Sequence, residues 1–301
     1  MNYKNITVAG SGVLGSQIAY QTAFKGFNVS IYDINNDALA RAKERIINLK
    51  IRYQKDLGAT VEEVNAAYDR ITFICDLSEA VAEADLVIEA IPEIVQIKTD
   101  FYKKLCEVAP DKTIFTTNSS TFLPSQFAEA TGRPEKFLAL HFANEIWKNN
   151  TAEIMKHSRT DMHVFDEVIE FAKAIGMVAL PLYKEQPGYI LNSLLVPFLE
   201  AAQMLLLNEI ADVETIDKTW MIATGSPKGP FKTLDIVGVN TAYNIALGKA
   251  EAGVTEFDRL AEFLKSEYLD KGKLGRQTGE GFYSYQDVMK HKKLGVSLAM
   301  S

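Results

Sequence analysis

A glycine-rich turn near the start of the chain places the strongest constraint on its fold. The apolar run at residues 6–9 leads directly into Gly10-Ser11-Gly12-Val13-Leu14-Gly15, which opens a helical pattern over Val13–Phe24. Glycines at this spacing permit a tight turn, a close approach of the backbone to a pyrophosphate, and packing of the helix on its strand. The N-terminus of the helix offers unpaired N–H groups to an anion. The turn therefore predicts a dinucleotide site, with an ordinary strand-to-helix turn as the alternative.

An acidic residue lies where such a site needs one. The β-branched run at residues 29–32 ends at Asp33, eighteen residues after Gly15. A carboxylate at this place accepts hydrogen bonds from the ribose 2′-hydroxyl of NAD and repels the 2′-phosphate of NADP. We therefore predict NAD as the cofactor, with a binding set of Gly10, Gly12, Val13, Leu14, Gly15 and Asp33.

Composition limits the classes of function that remain. The 301 residues suit two domains, and 47% hydrophobic content suffices for buried cores. A formal net charge of −7 disfavours a nucleic-acid binder. The two cysteines, Cys75 and Cys106, have no C-x-x-C spacing, and no other spacing suggests a metal site. We expect a cytoplasmic protein that does not enter a membrane, without an export signal or an apolar run of the roughly 18 residues that a membrane span needs.

The first part of the chain has the alternating pattern of an α/β fold. Short β-branched runs alternate with amphipathic stretches up to about residue 183. Candidate strands are residues 6–9, 29–33, 71–74, 86–89, 114–116, 137–142 and 178–181. Residues 36–70 carry two helical patterns, and the second opens with Thr60-x-x-Glu63, a capping-box signal after a turn at Gly58. We predict a Rossmann-type doubly wound sheet with a projecting helical hairpin.

Strand signals stop after Gln186-Pro187-Gly188-Tyr189. Helical patterns follow at residues 189–210, 212–223, 234–248 and 255–269. The segment from Ser226 to Phe231 contains two prolines and a glycine, so we predict a turn there. The chain is thus expected to divide into an NAD-binding domain over residues 1–184, with a helical arm at 36–70, and a smaller all-helical domain over residues 185–301.

The predicted strands place a histidine and a glutamate side by side. His141 lies near the end of an alternating strand, and Glu153 lies twelve residues later in a short apolar run, so two neighbouring strands joined by a loop would pair them. An imidazole can take the proton of an alcohol as hydride leaves, and a carboxylate on its other nitrogen fixes the tautomer. A structural histidine is the alternative, but an unpaired glutamate in an apolar run would be costly.

Three further polar features remain open on sequence alone. Asn118-Ser119-Ser120-Thr121 follows a strand at the edge where ligands bind in open α/β sheets, although Thr121 also suits a helix cap. Asn192 is a polar group on a largely apolar helix and needs a partner. The first hairpin helix carries a basic stripe, which is either a solvated face or a site for a phosphate-rich substrate tail. The stripe consists of Arg41, Arg45, Arg52 and Lys55.

These pieces together resemble the L-3-hydroxyacyl-CoA dehydrogenase family along nearly the whole chain to Tyr285. Besides the glycine turn with Asp33, the matching segments are Ile88-Glu89-Ala90-Ile91-Pro92-Glu93 with Lys98, Asn118-Ser119-Ser120, Leu140-His141-Phe142, Gln186 to Asn192, Gly229-Pro230-Phe231 with Asp235 and Gly238, and Thr278 to Tyr283.

The resemblance implies roles for individual residues. His141 would be the general base, Glu153 its orienting carboxylate, and Ser120 and Asn192 the groups that bind the substrate near its 3-oxygen. Glu93, Lys98 and Asn118 would lie around the ribose and nicotinamide of NAD. The helical hairpin would cover the CoA moiety, where Arg52 and Lys55 of the basic stripe could meet its phosphates, and the helical domain would form a homodimer.

Departures from the family pattern keep the substrate open. Family members usually continue after His-Phe with an aromatic residue and then Asn-Pro, whereas this chain has Ala143-Asn144-Glu145-Ile146-Trp147-Lys148. Gln277 stands where a lysine is common, and Gln286 to Ser301 extend past the usual end. The leading hypothesis is an NAD-dependent dehydrogenase of short (S)-3-hydroxyacyl-CoA. The alternatives are a dehydrogenase of a free 3-hydroxy acid, such as carnitine or a sugar acid, and a non-catalytic nucleotide binder.

Overall fold

The structure, a computed structural model, describes residues 3–285. The tail from Gln286 to Ser301 lies outside the described residues. The chain forms two compact units that meet in sequence between Leu191 and Asn192. The boundary predicted from the sequence lies slightly earlier, between residues 184 and 185.

A mixed eight-stranded sheet forms the centre of the first unit. In space the strands follow the order β3-β2-β1-β4-β5-β6-β7-β8, and every neighbouring pair is parallel except β6 and β7. The order reverses at β1, which is where doubly wound sheets bind their ligands. The predicted sheet is confirmed. Its strands are β1 Asn5–Ala9, β2 Asn28–Tyr32, β3 Ile71–Ile74, β4 Leu86–Glu89, β5 Ile114–Thr117, β6 Phe137–Phe142, β7 Thr151–Met155 and β8 Val178–Leu182.

Helices cover both faces of this sheet. The buried middle strands are almost wholly apolar because they are covered on both sides, as in other parallel sheets. Single 3₁₀ turns at residues 124–126, 129–131 and 134–136 connect β5 to β6. The helices of this unit are α1 Val13–Phe24, α2 Asn36–Leu57, α3 Val61–Asp69, α4 Leu77–Val81, α5 Val95–Val108 and α6 Met162–Ala174.

Helices α2 and α3 form the predicted helical hairpin. Gly58 ends α2 in the left-handed conformation with φ 69°. Thr60 and Glu63 make the reciprocal capping box: the N–H of Thr60 donates to Oε2 of Glu63 at 2.8 Å, and the N–H of Glu63 donates to Oγ1 of Thr60 at 3.2 Å. The inner face of the hairpin packs on α1, where Tyr53 meets the edge of Tyr20 at 4.8 Å between ring centroids. The hairpin therefore belongs to the main core.

The second unit is helical within its described residues, as predicted, but two local predictions are wrong. The segment 234–248 is not one helix, because Gly238, with φ 100°, separates two helices. Pro230 and Phe231 belong to a helix rather than a turn, because the Asp217 carboxylate accepts the N–H of Phe231 at 2.8 Å and stabilises the helix start. The helices are α8 Val213–Thr224, α9 Pro230–Val237, α10 Val239–Glu251 and α11 Glu256–Leu264, with a π-turn over Lys265–Leu269.

Helix α7, Tyr189–Leu207, joins the two units and is more apolar than expected. This helix of 19 residues contains an 18-residue stretch with a mean hydropathy of 1.7 and reaches the length of a membrane span. The expectation that no such stretch exists is wrong because Asn192 and Glu200 interrupt the run without lowering its mean enough. One helix of this kind is weak evidence for a span, because the criterion uses length and composition alone; 17% of the stretch is buried.

Candidate active site

The glycine turn between β1 and α1 has the shape that a dinucleotide needs. A Cβ on Gly10 would overlap the carbonyl oxygen of Ala90, and a Cβ on Gly15 would overlap the carbonyl oxygen of Gly10. No atom lies within 4 Å of the Cβ position of Gly12, the N-cap residue of α1, so this glycine faces open space. Two glycines therefore permit close packing and the third leaves room for the pyrophosphate, so this turn fits NAD.

A cavity of about 690 Å³ lies beside this turn at the carboxyl end of β2. Asp33 stands in its wall, where Oδ2 accepts the N–H of Ser11 at 2.8 Å and Oδ1 accepts the N–H of Ile34 at 2.8 Å. The carboxylate thus anchors the turn and is placed where a ribose 2′-hydroxyl would meet it. Two members of the basic stripe, Arg41 and Arg45, line the same cavity, and Arg45 donates to the carbonyl oxygen of Ser11 at 3.1 Å.

A buried ion-pair network borders a second cavity of about 270 Å³, which runs from Gly12 to Thr121. Nζ of Lys98 lies 2.6 Å from Oε1 of Glu89 and 3.1 Å from Oε2 of Glu93. Glu89 also accepts hydrogen bonds from the hydroxyls of Tyr102 and Thr117, at 2.9 and 2.8 Å. Lys98 is 1% exposed. The two carboxylates hold this ammonium group in the cavity wall.

Glu93 connects this network to the segment after β5. Its Oε1 accepts hydrogen bonds from the hydroxyl of Ser119 and from the N–H and hydroxyl of Thr121. Burial opposes its ionisation, but these bonds and the charge of Lys98 outweigh burial and lower the pKa of Glu93 to about 2. Asn118 lines the same cavity, and its Oδ1 accepts the N–H of Phe142 at 3.0 Å. Glu93, Lys98 and Asn118 therefore lie together, as the resemblance implies.

The histidine and glutamate predicted from sequence form a dyad. His141 on β6 and Glu153 on β7 are directly opposite in the antiparallel pairing, and Nδ1 of His141 lies 3.2 Å from Oε2 of Glu153. On the other side, Nε2 of His141 lies 3.0 Å from Oγ of Ser120. An ionised carboxylate only accepts hydrogen bonds, so Nδ1 carries the proton and Nε2 is the accepting nitrogen. The imidazole is thereby set up as a base.

The first turn of α7 contacts this dyad. The N–H groups of Ile190 and Leu191 donate to Oε1 of Glu153 at 2.9 and 3.0 Å. Burial alone would raise the pKa of Glu153, but the hydrogen bonds from His141, Leu191 and Ile190 outweigh burial and lower it. Glu153 is 4% exposed. It is thus kept ionised in a nearly closed environment, where a negative charge stabilises an imidazolium most effectively.

The loop that departs from the family pattern, residues 143–150, is fixed to the hairpin and α1. Glu145 forms an ion pair with Arg52, and the Arg52 guanidinium lies over the ring of Trp147 at 4.4 Å. Nε1 of Trp147 and Nζ of Lys148 both donate to Oδ2 of Asp56, at 3.0 and 2.9 Å. These contacts hold the loop that begins two residues after His141.

The basic stripe does not act as one surface. Arg41 and Arg45 face the nucleotide cavity, whereas Arg52 is engaged by the acidic side chain of Glu145. This separation is not predictable from the sequence, because pairing of Arg52 with a residue 93 positions away leaves no local signal. The role of Arg52 and Lys55 in CoA binding stays a prediction. Asn192 belongs to the second unit, and its role as a substrate-binding residue also stays a prediction.

Glu89 and Tyr189 also belong to the site, and each carries a signal in the sequence. Glu89 is an acid that ends a strand whose residues are all buried, and such a residue needs a buried partner. Tyr189 stacks on His141 with 4.4 Å between ring centroids, and its signal in the sequence is an aromatic residue directly after Gly188. Within residues 3–285 there is no group of three histidine, cysteine or acidic side chains that could hold a metal ion.

Comparison with known proteins identifies relatives over nearly the whole chain. Two family models match: "3-hydroxyacyl-CoA dehydrogenase, NAD binding domain" at residues 5–186 and "3-hydroxyacyl-CoA dehydrogenase, C-terminal domain" at residues 188–285. The mitochondrial hydroxyacyl-coenzyme A dehydrogenase of Homo sapiens is 33% identical, covering 94% of this chain and 91% of that protein. A probable 3-hydroxybutyryl-CoA dehydrogenase of Bacillus subtilis is 30% identical, with 95% and 99% covered.

Solved structures add a relative of higher identity. A structure described as "Substrate-directed dual catalysis of dicarbonyl compounds by diketoreductase" is 56% identical, with a TM-score of 0.90 and coverage of 95% of this chain and 100% of that one. The (S)-3-hydroxybutyryl-CoA dehydrogenase from Ralstonia eutropha is 26% identical, with a TM-score of 0.83 and coverage of 94% and 99%.

Proposed function

Because this chain belongs to the 3-hydroxyacyl-CoA dehydrogenase family, we propose that it interconverts a short-chain (S)-3-hydroxyacyl-CoA and the matching 3-ketoacyl-CoA. NAD is the cofactor, bound through the glycine turn and Asp33. The observation that carries the proposal is the array Ser120, His141 and Glu153, with contacts of 3.0 and 3.2 Å on the two imidazole nitrogens. Acyl-CoA chemistry of this kind would place the protein in fatty acid metabolism.

The residues of the site divide the reaction between them. Bound NAD supplies the nicotinamide C4 that takes the hydride. Nε2 of His141 takes the proton of the substrate hydroxyl, which lies beside Oγ of Ser120 in this proposal. The buried carboxylate of Glu153 stabilises the imidazolium that results, and its two backbone hydrogen bonds keep it in place. In the reducing direction, the imidazolium returns the proton to the developing alkoxide.

A spectrophotometric assay tests this function. The protein with NADH and acetoacetyl-CoA is expected to consume NADH, and His141→Ala is expected to lower kcat by about 10²–10⁴-fold, the usual contribution of a general acid–base group. The matched control is His163→Ala, because the His163 side chain is 81% exposed and lies on α6. A wild-type protein that leaves NADH unchanged would contradict the proposal.

A second candidate substrate class is a free dicarbonyl compound or its hydroxy form, without CoA. The 56%-identical relative is described as a diketoreductase acting on dicarbonyl compounds. The ion pair between Arg52 and Glu145 supports the same class, because it occupies a cation that CoA phosphates would otherwise attract. Competition between acetoacetyl-CoA and a free diketone in one NADH assay distinguishes the two: the preferred substrate has the larger kcat/KM.

The self-association predicted from sequence forms part of the proposal. Leu194 on α7, Ile210 after α7 and Ile222 on α8 are 69%, 69% and 82% exposed. Large apolar side chains exposed to this degree support a protein–protein contact through this unit, because a partner that covers them removes apolar surface from water. We propose a homodimer formed through the second unit, which sedimentation or light scattering would measure. A cytoplasmic location stays a prediction, as does the absence of membrane and nucleic-acid partners.

A further inference from the structure

Tyr189 contacts the array formed by Ser120, His141 and Glu153, although its position in the sequence does not predict these contacts. Its ring stacks on the imidazole of His141 with 4.4 Å between centroids and 17° between planes. Its hydroxyl donates to the backbone carbonyl oxygen of Ser119 at 2.6 Å, one residue before Ser120. The side chain is 1% exposed. One residue thus contacts both the base and the segment that carries the hydroxyl facing it.

The backbone at Tyr189 is held in a conformation that aromatic residues rarely adopt. Its φ is +57°, and the preceding Gly188 has φ +80°. A bulky residue in the left-handed region is an outlier, and such outliers persist where surrounding contacts fix them, often at functional sites. The two left-handed residues turn the chain so that the N–H groups of Ile190 and Leu191 reach Glu153.

The imidazole of His141 is therefore restrained in every direction that matters for proton transfer. Glu153 and Ser120 fix its two nitrogens within the ring plane, and Tyr189 covers one face of the ring. Rotation of the imidazole by half a turn about its bond to Cβ would break the contacts of both ring nitrogens. The stacked phenol of Tyr189 restricts tilting of the imidazole out of its plane. An aromatic face also attracts a cation, so the stack favours the imidazolium that forms during oxidation.

We propose that Tyr189 is a positioning residue for His141, which holds the imidazole in its reactive orientation and stabilises its protonated form. This inference rests on the proposed function, because it presumes His141 to be the base. Burial and the negative charges of Glu153, Glu93 and Glu89 raise the pKa of Tyr189 above its ordinary value. The phenol is therefore neutral at working pH and acts through its ring and its hydrogen bond.

Two substitutions separate the contributions of the ring and the hydroxyl. Tyr189→Phe keeps the stacked ring and removes the bond to Ser119, so we expect kcat to fall by about threefold to tenfold. Tyr189→Leu removes the stack, and we expect kcat to fall by about 100-fold, as when a catalytic group is misplaced. The KM for NADH is expected to stay within about twofold. Tyr183→Phe and Tyr183→Leu are matched controls, because Tyr183 is 65% exposed.

The pH profile distinguishes positioning from a merely structural role. In the oxidising direction, loss of the stacked ring makes the imidazolium less favourable. The acidic limb of the pH profile of kcat/KM is therefore expected to move to lower pH in Tyr189→Leu and to stay in place in Tyr189→Phe. A residue that only supports the fold would lower the melting temperature and leave this limb unchanged. Wild-type kcat and an unmoved limb in Tyr189→Leu would overturn the inference and leave the proposed function intact.

A spectroscopic measurement tests the same inference without turnover. In protein with ¹⁵N-labelled histidine, assigned with His141→Asn, the wild-type His141 signal is expected to show one tautomer with the proton on Nδ1 and an upfield-shifted Hε1 from the stacked ring. Tyr189→Leu is expected to lose that shift and mix tautomers. If the wild type fails to oxidise or reduce any substrate offered, this spectrum still decides about Tyr189. If Tyr189→Leu does not fold, a wild-type spectrum without the shift overturns the inference, and one with it supports it.

Discussion

Nζ of Lys98 lies 2.6 Å from Oε1 of Glu89, and both side chains are almost completely buried at the end of β4. Glu93 supplies a second carboxylate to the same ammonium group at 3.1 Å. An ammonium group with so little solvent contact depends on these carboxylates for its charge. This relationship joins β4, α5 and the segment after β5 into one wall of the candidate cofactor site.

Removing the inner carboxylate tests how far the wall depends on it. Glu89→Gln leaves Lys98 with only Glu93 and weakens the acceptors for Tyr102 and Thr117. We expect a loss of about 2–4 kcal/mol in the free energy of unfolding, because removing one partner of a buried ion pair leaves the other charge buried without that compensation. Urea unfolding measures this. The control is Glu107→Gln on the exposed side of α5, the helix that carries Lys98. It should change stability by less than about 0.5 kcal/mol. Equal stability of both variants would contradict the prediction.

Gly12 and Gly15 of the turn should respond differently to an added methyl group. Gly15→Ala is expected to destabilise the first unit strongly, because its Cβ would overlap the carbonyl oxygen of Gly10. Gly12→Ala should fold normally, since nothing lies within 4 Å of its Cβ and its φ of −58° suits alanine. Its methyl group enters the cofactor space, so we expect NADH affinity to fall by at least about tenfold. Melting temperature and NADH fluorescence titration measure the two effects, and unimpaired NADH binding by Gly12→Ala would refute the placement of the pyrophosphate.

Glu145 offers a direct test of substrate class. Glu145→Gln releases Arg52 from its ion pair, so the guanidinium can bind a phosphate. We expect the KM for acetoacetyl-CoA to fall by about threefold to tenfold, with the KM for a free diketone unchanged, because both partners are about half exposed and the gain is modest.

The fold should not suffer in this variant, since an exposed ion pair contributes at most about 1 kcal/mol. Glu170→Gln, which removes the exposed ion pair with Lys173 on α6, is the control and should leave both KM values unchanged. A fall in both KM values of Glu145→Gln, or in neither, would argue that Arg52 does not meet CoA phosphates.

Glu93 predicts a specific acid dependence of stability. Its pKa is lowered in the folded protein from 4.5 to about 2. A lowered carboxyl pKa contributes stability that is present above the unfolded value and is lost as pH falls toward the folded value. The wild type should therefore lose stability between about pH 5 and pH 2. Glu93→Gln should be less stable at pH 7 and lose less over this range, as thermal unfolding at several pH values would measure. Parallel plots of stability against pH for the two proteins would contradict this prediction.

Local and periodic signals made much of the fold predictable. The glycine turn, the β-strand runs and the Thr60–Glu63 capping box depend on residues close in sequence, so their patterns carry the information. The dyad was predictable because His141 and Glu153 lie near the two ends of one loop between neighbouring strands. The histidine is suited to take a proton near neutral pH, and an unpaired carboxylate in an apolar run would be costly, which favours pairing the two.

Long-range pairing made the rest unpredictable. The ion pair between Glu145 and Arg52 crosses 93 positions, and the cap that Asp217 gives α9 comes from another helix. The break at Gly238 has a conformational origin, since its φ of 100° interrupts a pattern that hydrophobic periodicity alone reads as continuous. Each of these features depends on a residue brought near by the fold or on a backbone angle that a sequence pattern does not specify.

The pairing of β6 with β7 has a consequence for how such an enzyme can diversify. The catalytic side chains sit on the two arms of one hairpin, and the loop at residues 143–150 is only the connection between them. Ladder hydrogen bonds fix the register, so the connection can exchange residues without separating base and carboxylate. Substitutions in this loop can thus change the substrate preference while the proton-transfer chemistry of the dyad stays the same.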